Sequence, residues 1–171
     1  MKKWIGALCS GLAGVLTLVF LTMPALTFKM MGEKESYSGW KLLTDSDIAK
    51  ADYTAVTWYR IFAWILVVLA VVLIVLAVLQ ILANLNIVKM PAILSTVGKF
   101  ALIGLVLVSI LALLANIGIR AEMIDEFKDA LGKDAAKEYG KMLKIGASLI
   151  VVTVVNLIAC VCGNLFAKNE K

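Results

Sequence analysis

Of the 171 residues, 62% are hydrophobic, and the mean hydropathy is +0.96. Soluble domains run at roughly 45–50% apolar, so this much apolar side chain does not fit inside one water-soluble core. The net charge of +5 comes from 17 basic residues interleaved with 12 acidic ones outside the apolar runs; they form no basic stripe beside exposed aromatics, which argues against nucleic acid as a partner. Histidine is absent, and with it go the commonest general base and the commonest zinc ligand.

The first apolar run, about 4–26, follows Met1-Lys2-Lys3. It is longer than a signal-peptide core and leaves through Met23-Pro24-Ala25, a poor cleavage site, so it is expected to stay as a membrane span. Gly6, Ser10 and Gly14 recur every four residues along it. That small-xxx-small spacing lets helices approach closely in lipid, either within the bundle or as an assembly seam.

The first long loop, about 27–55, has residues 26–31 and 36–43 flanking Gly32-Glu33-Lys34-Glu35, the pattern of a short β-hairpin. A hairpin alone is marginal in water, so Trp40, a large aromatic in a small polar stretch, is the residue expected to dock the loop on the bundle. Thr44 with Asp47 three residues on approximates a capping box for a helix leading into the next span.

The second run covers about 56–83, with Arg60 near its start, and Trp4, Trp58, Tyr59 and Trp64 at belt depth. The third covers about 97–119, with Lys99 near one end. Beyond it, Ile124, Phe127 and Leu131 recur at helical spacing, Gly132 offers a left-handed stop, and Ala135, Tyr139 and Met142 resume the stripe. The loop of about 120–142 therefore reads as a helical hairpin extending spans three and four. The fourth run, about 143–166, carries Thr153, Asn156, Cys160 and Gly163 on one polar or small face. Asn156 lies near its middle, where an amide facing lipid is costly; an interhelical hydrogen bond worth about 0.6–2 kcal/mol is expected there, or a pore-lining role. Cys9, Cys160 and Cys162 sit in apolar runs as small packing residues.

No catalytic set emerges: the chain has no G-x-S-x-G, no glycine-rich phosphate loop and no acid inside a span. No catalytic residue, metal site or cofactor is expected. Lys2, Lys3, Lys89, Lys99, Lys168 and Lys171 fall on one side with only Glu170 opposing them, while the other side is larger in charge but balanced. The first helix and the acid-free middle loop favour both termini in the cytoplasm, although a plain count of Lys and Arg favours the reverse.

A first span, a structured outer loop, three further spans and a third helix running past the membrane together resemble the layout of claudin-like tetraspans. Ser38-Gly39-Trp40-Lys41-Leu42-Leu43 is similar to the claudin first-loop motif, without its cysteine pair and first tryptophan. An S-G-W-x-L-L element after a first span also resembles small prokaryotic four-span proteins. The resemblance implies lateral assembly in the membrane rather than catalysis. The expected fold is an all-α, four-transmembrane-helix bundle forming one domain over 1–171, with a β-hairpin-like first outer loop. The expected function is that of a non-enzymatic plasma-membrane tetraspan whose partners are the bilayer and either itself or another membrane protein. The alternative is a small oligomeric channel or transporter subunit.

Overall fold

The structure is a computed structural model describing residues 2–30, 33–44, 53–89 and 91–167. In chain order these form α1 (Lys2–Phe20), β1 (Pro24–Met30), β2 (Glu33–Ser38), α2 (Gly39–Thr44), α3 (Thr54–Asn84), α4 (Ala92–Leu131), α5 (Lys133–Met142), β3 (Leu143–Ile145) and α6 (Ser148–Ala167). The chain is mostly helical, with one three-stranded antiparallel sheet ordered β2-β1-β3.

The long helices are uninterrupted because Pro91 sits at the N-cap of α4 and Pro24 at the start of β1, where a missing N–H costs least. Two of them, α3 and the stretch Ile93–Leu131, are long and apolar enough to cross a membrane. α1 and α6 are apolar but shorter, with continuous described stretches of Trp4–Phe20 and Ser148–Gly163. The four pack as a ring, α1 beside α3, α3 beside α4, α4 beside α6 and α6 back beside α1. The α1–α3 approach depends on glycine: a Cβ at Gly14 would lie 2.6 Å from the Ala70 carbonyl oxygen, and one at Gly11 would lie 3.1 Å from the Ala77 Cβ. Leu66, Leu73, Leu105, Leu149 and Val152 are fully buried and fill the middle of the ring.

The expected first and last spans are both shorter as helices than the apolar runs. α1 stops at Phe20, where Thr22 and Met23 turn onto Val19 and Phe20, and the run's remainder, from Pro24, extends as β1. At the other end Leu143–Ile145 is a strand, pairing Phe28 with Leu143 and Leu26 with Ile145 before α6 begins. Hydropathy does not separate a buried strand from a helix segment, so both apolar tails read as span. The hairpin itself forms, with Phe28 opposite Glu35 and Leu26 opposite Tyr37. Its second strand begins earlier than expected, at Glu33, and the expected strand residues 39–43 lie in α2 instead. Thr44 closes α2, its hydroxyl donating to the Trp40 carbonyl at 2.9 Å; Asp47 and the helix expected to start there fall on residues 45–52, outside the described residues. The helical hairpin after the third run turns at Gly132, whose φ of +89° lies in the left-handed region.

Candidate functional site

The sheet end of the ring is sewn to the helices by side chains that donate to backbone carbonyls. Trp40 is half-buried against the core, its indole Nε1 donating to the Leu18 carbonyl at 3.4 Å, while its backbone N–H meets the Leu21 carbonyl at 3.0 Å. Tyr59, expected in an aromatic belt, is fully buried instead and donates to the Gly39 carbonyl at 3.2 Å. Ser148 donates to the Phe20 carbonyl at 2.7 Å and Asn116 Nδ2 to the Ala25 carbonyl at 3.0 Å. Arg120 reaches from α4 across to the Leu143 and Gly140 carbonyls at 2.8 and 2.7 Å. The N-terminus of α3 has no side-chain cap of its own; Glu122 of α4 accepts the Ala55 N–H at 3.1 and 3.2 Å, an anion at the positive end of the helix.

Above that seam, Tyr53 donates to Glu126, and Tyr139 stacks on Phe127 with ring centroids 4.1 Å apart. Burial, followed by the Glu126 hydrogen bond and nearby negative charge, pushes the Tyr53 phenol up to about 12. Tyr139 is raised for the same two physical reasons, burial first and Glu126 second.

Polar side chains also occupy the ring's interior. Ser10, Thr17, Ser109, Asn116, Ser148 and Asn156 are all buried. Ser10, Ser109 and Thr153 turn their hydroxyls back onto carbonyls of their own helices, which satisfies them without a neighbour. Thr17 shares one proton between the Ala13 carbonyl at 2.7 Å and Asn156 Oδ1 at 3.0 Å. Two amide atoms in this interior are left without a partner, Asn156 Nδ2 and Asn116 Oδ1.

The residues singled out by sequence meet neighbours within the ring as follows. Gly6, Ser10 and Gly14 share the α1 face toward α3, with Gly6 opposite Gln80 and Gly14 opposite Ala70 and Ile74. On α6, Asn156 meets Thr17 of α1 and Gly163 meets Leu102 of α4, while Cys160 is half-buried against the core. Thr153, also half-buried, bonds only its own helix, to the Leu149 carbonyl at 2.8 Å. Glu122, Arg120, Ser148 and Asn116 are functional contacts that the sequence alone does not mark. Nothing in their spacing marks them, because each acts on a carbonyl or N–H remote in sequence.

At the opposite end of the ring, where α1 and α4 begin and α3 and α6 finish, a cavity of about 100 Å³ opens between the helices. Gly6, Gly98 and Gly163 leave room for it, and Ser10, Gln80, Ser95 and Lys99 supply its polar lining. Among the described residues, no three Cys, Asp or Glu side chains gather with the geometry of a metal site. No protein-family model, curated protein or solved structure matches this chain.

Proposed function

We propose that the chain is a four-span integral membrane protein that works by lateral contact, with itself or with a partner membrane protein, rather than by catalysis. The observation that carries this reading is inverted polarity. Leu8, Leu12 and Val15 of α1, Trp58, Trp64 and Val68 of α3, Phe100, Leu107 and Leu114 of α4, and Val154, Leu157 and Ile158 of α6 are exposed, while the six polar residues above are buried. In water that exchange is unfavourable on both counts, whereas in hydrocarbon it is the stable arrangement. The 19 and 20 residues of α1 and α6 reach about 28–30 Å at about 1.5 Å per residue, which matches the hydrocarbon thickness.

In this reading the sheet and the α4–α5 hairpin form an outer cap, both termini and the 85–91 connection face the cytoplasm, and the membrane is the plasma membrane. The claudin-like order of elements belongs to the same proposal. Because the small-residue face of α1 is occupied by α3, assembly would use the outer apolar faces instead. Fully buried leucines across the middle of the ring favour contact over conduction through one protomer. Cross-linking in native membranes, followed by size analysis in mild detergent, tests this: discrete homo-oligomers or a stoichiometric partner complex support it. A monomer alone, with the purified protein conducting ions in liposomes, would replace it with the channel reading.

A further inference from the structure

The cavity away from the sheet has the chemistry of an anion site. Lys99 on α4 offers an ammonium, Gln80 on α3 an amide and Ser95 a hydroxyl. None of the three makes a hydrogen bond or ion pair with another described residue. Ser10, deeper in, has its proton committed to the Gly6 and Ala7 carbonyls, so donors are concentrated at the mouth. The volume of about 100 Å³ is far above the roughly 10–15 Å³ that one water requires. Among the described residues, charge at this end has one sign: no Asp or Glu occurs from Met1 to Gly32 or from Tyr53 to Ala121, so no described carboxylate at this end competes for Lys99. A cleft lined by one sign of charge with apolar walls, here Leu73, Leu76 and Leu102, concentrates the opposite ion.

We infer that this cavity binds a phosphate-bearing anion, with Lys99, Gln80 and Ser95 as its donors. The source at this depth is an anionic lipid headgroup of the adjoining leaflet or a free phosphate from the solution beside it. Exposed Ile93, Val97 and Phe100 on the outward face of the same turns of α4 put this end of the helix at the level of acyl chains and headgroups, which favours the lipid. The anion chemistry is independent of lateral assembly; only the lipid source rests on the membrane reading.

The test uses the full chain in a nonionic detergent, titrated with dihexanoyl phosphatidylglycerol, dihexanoyl phosphatidylcholine and sodium phosphate, with bound ligand counted by native mass spectrometry. One phosphatidylglycerol should bind, and Lys99→Gln should weaken it about tenfold, as expected for a charge-assisted hydrogen bond. Lys89→Gln removes the same charge from the connection after α3 and should leave affinity within about twofold; Lys99→Arg should restore it. Displacement by phosphate with equal affinity would identify the free anion as the source, still at this site. Equal binding of phosphatidylcholine, equal losses in Lys99→Gln and Lys89→Gln, or unchanged binding in Lys99→Gln would overturn the inference.

Discussion

Removing either partner of the Thr17–Asn156 hydrogen bond should have opposite consequences for stability. Both residues are buried, Asn156 completely and Thr17 nearly so, and their contact is 3.0 Å. Interhelical hydrogen bonds between membrane helices are worth about 0.6 kcal/mol on average and about 1.7 kcal/mol at most. Thr17→Val is close to isosteric, removes that bond and leaves both atoms of the Asn156 amide unpaired, so a loss of about 1–2 kcal/mol is expected. Asn156→Leu removes the same bond, but Thr17 keeps its acceptor at the Ala13 carbonyl, 2.7 Å away. It also deletes Nδ2, a buried donor with no partner, and relieving such a group returns about 1–3 kcal/mol. Asn156→Leu is therefore expected to be neutral or stabilising by up to about 2 kcal/mol. Reversible unfolding in mixed micelles of rising dodecyl sulfate fraction, followed by circular dichroism, measures both variants. A loss above about 1 kcal/mol in Asn156→Leu together with a neutral Thr17→Val would refute the reasoning and would mean that the amide has a further partner.

Other substitutions probe the cap. Trp40→Ala should cost about 1–3 kcal/mol, since the ring is only half-buried, and should speed hydrogen exchange between Pro24 and Ser38; an unchanged exchange pattern would show that the ring does not hold the loop. At Gly146 a Cβ would overlap the Pro24 carbonyl, so Gly146→Ala should separate β3 from β1 and cost more than about 2 kcal/mol. Gly132→Ala meets nothing within 4 Å and should cost only the backbone strain of a positive φ with extended ψ, about 1–3 kcal/mol, and less than Gly146→Ala; thermal unfolding of the pair checks the order. Tyr53, raised to about 12 in the folded chain from about 10 when unfolded, contributes stability that is intact below pH 10 and lost as pH rises towards 12. Tyr53→Phe should thus melt slightly below the parent at pH 8, with the gap closing between pH 10 and 12; a constant gap would rule out the phenol as its origin.

The helices were legible because an unbroken apolar run has few alternatives, and Gly132 marks its turn through its own conformational freedom. Their ends were less legible. Leu143–Ile145 is apolar whether helical or extended, and only its pairing with Leu26 and Phe28 makes it a strand. That pairing joins positions more than a hundred residues apart, beyond any local pattern. Tyr59 misled for a related reason: near the start of a span it fits an aromatic belt, but the helical phase set by Val56, Ala63 and Leu66 turns it inward onto Gly39. For the interior, the small-residue spacing of α1 identified a close-packed face without naming the helix that fills it. Asn156 was visible as an isolated amide in an apolar run, yet its partner Thr17 was not, because a threonine in a span normally bonds its own helix.

The most direct test of the four-crossing arrangement is the sidedness of three positions. In a variant lacking Cys9, Cys160 and Cys162, single Lys34→Cys, Lys89→Cys and Gly132→Cys substitutions are treated with a membrane-impermeant maleimide, in intact cells and again after permeabilisation. Lys34→Cys in the sheet and Gly132→Cys in the helical turn should label in intact cells, and Lys89→Cys only once the membrane is opened. Labelling of Lys89→Cys together with either of the other two in intact cells, or labelling of Lys34→Cys and Gly132→Cys from opposite sides, would contradict a chain that crosses the bilayer four times.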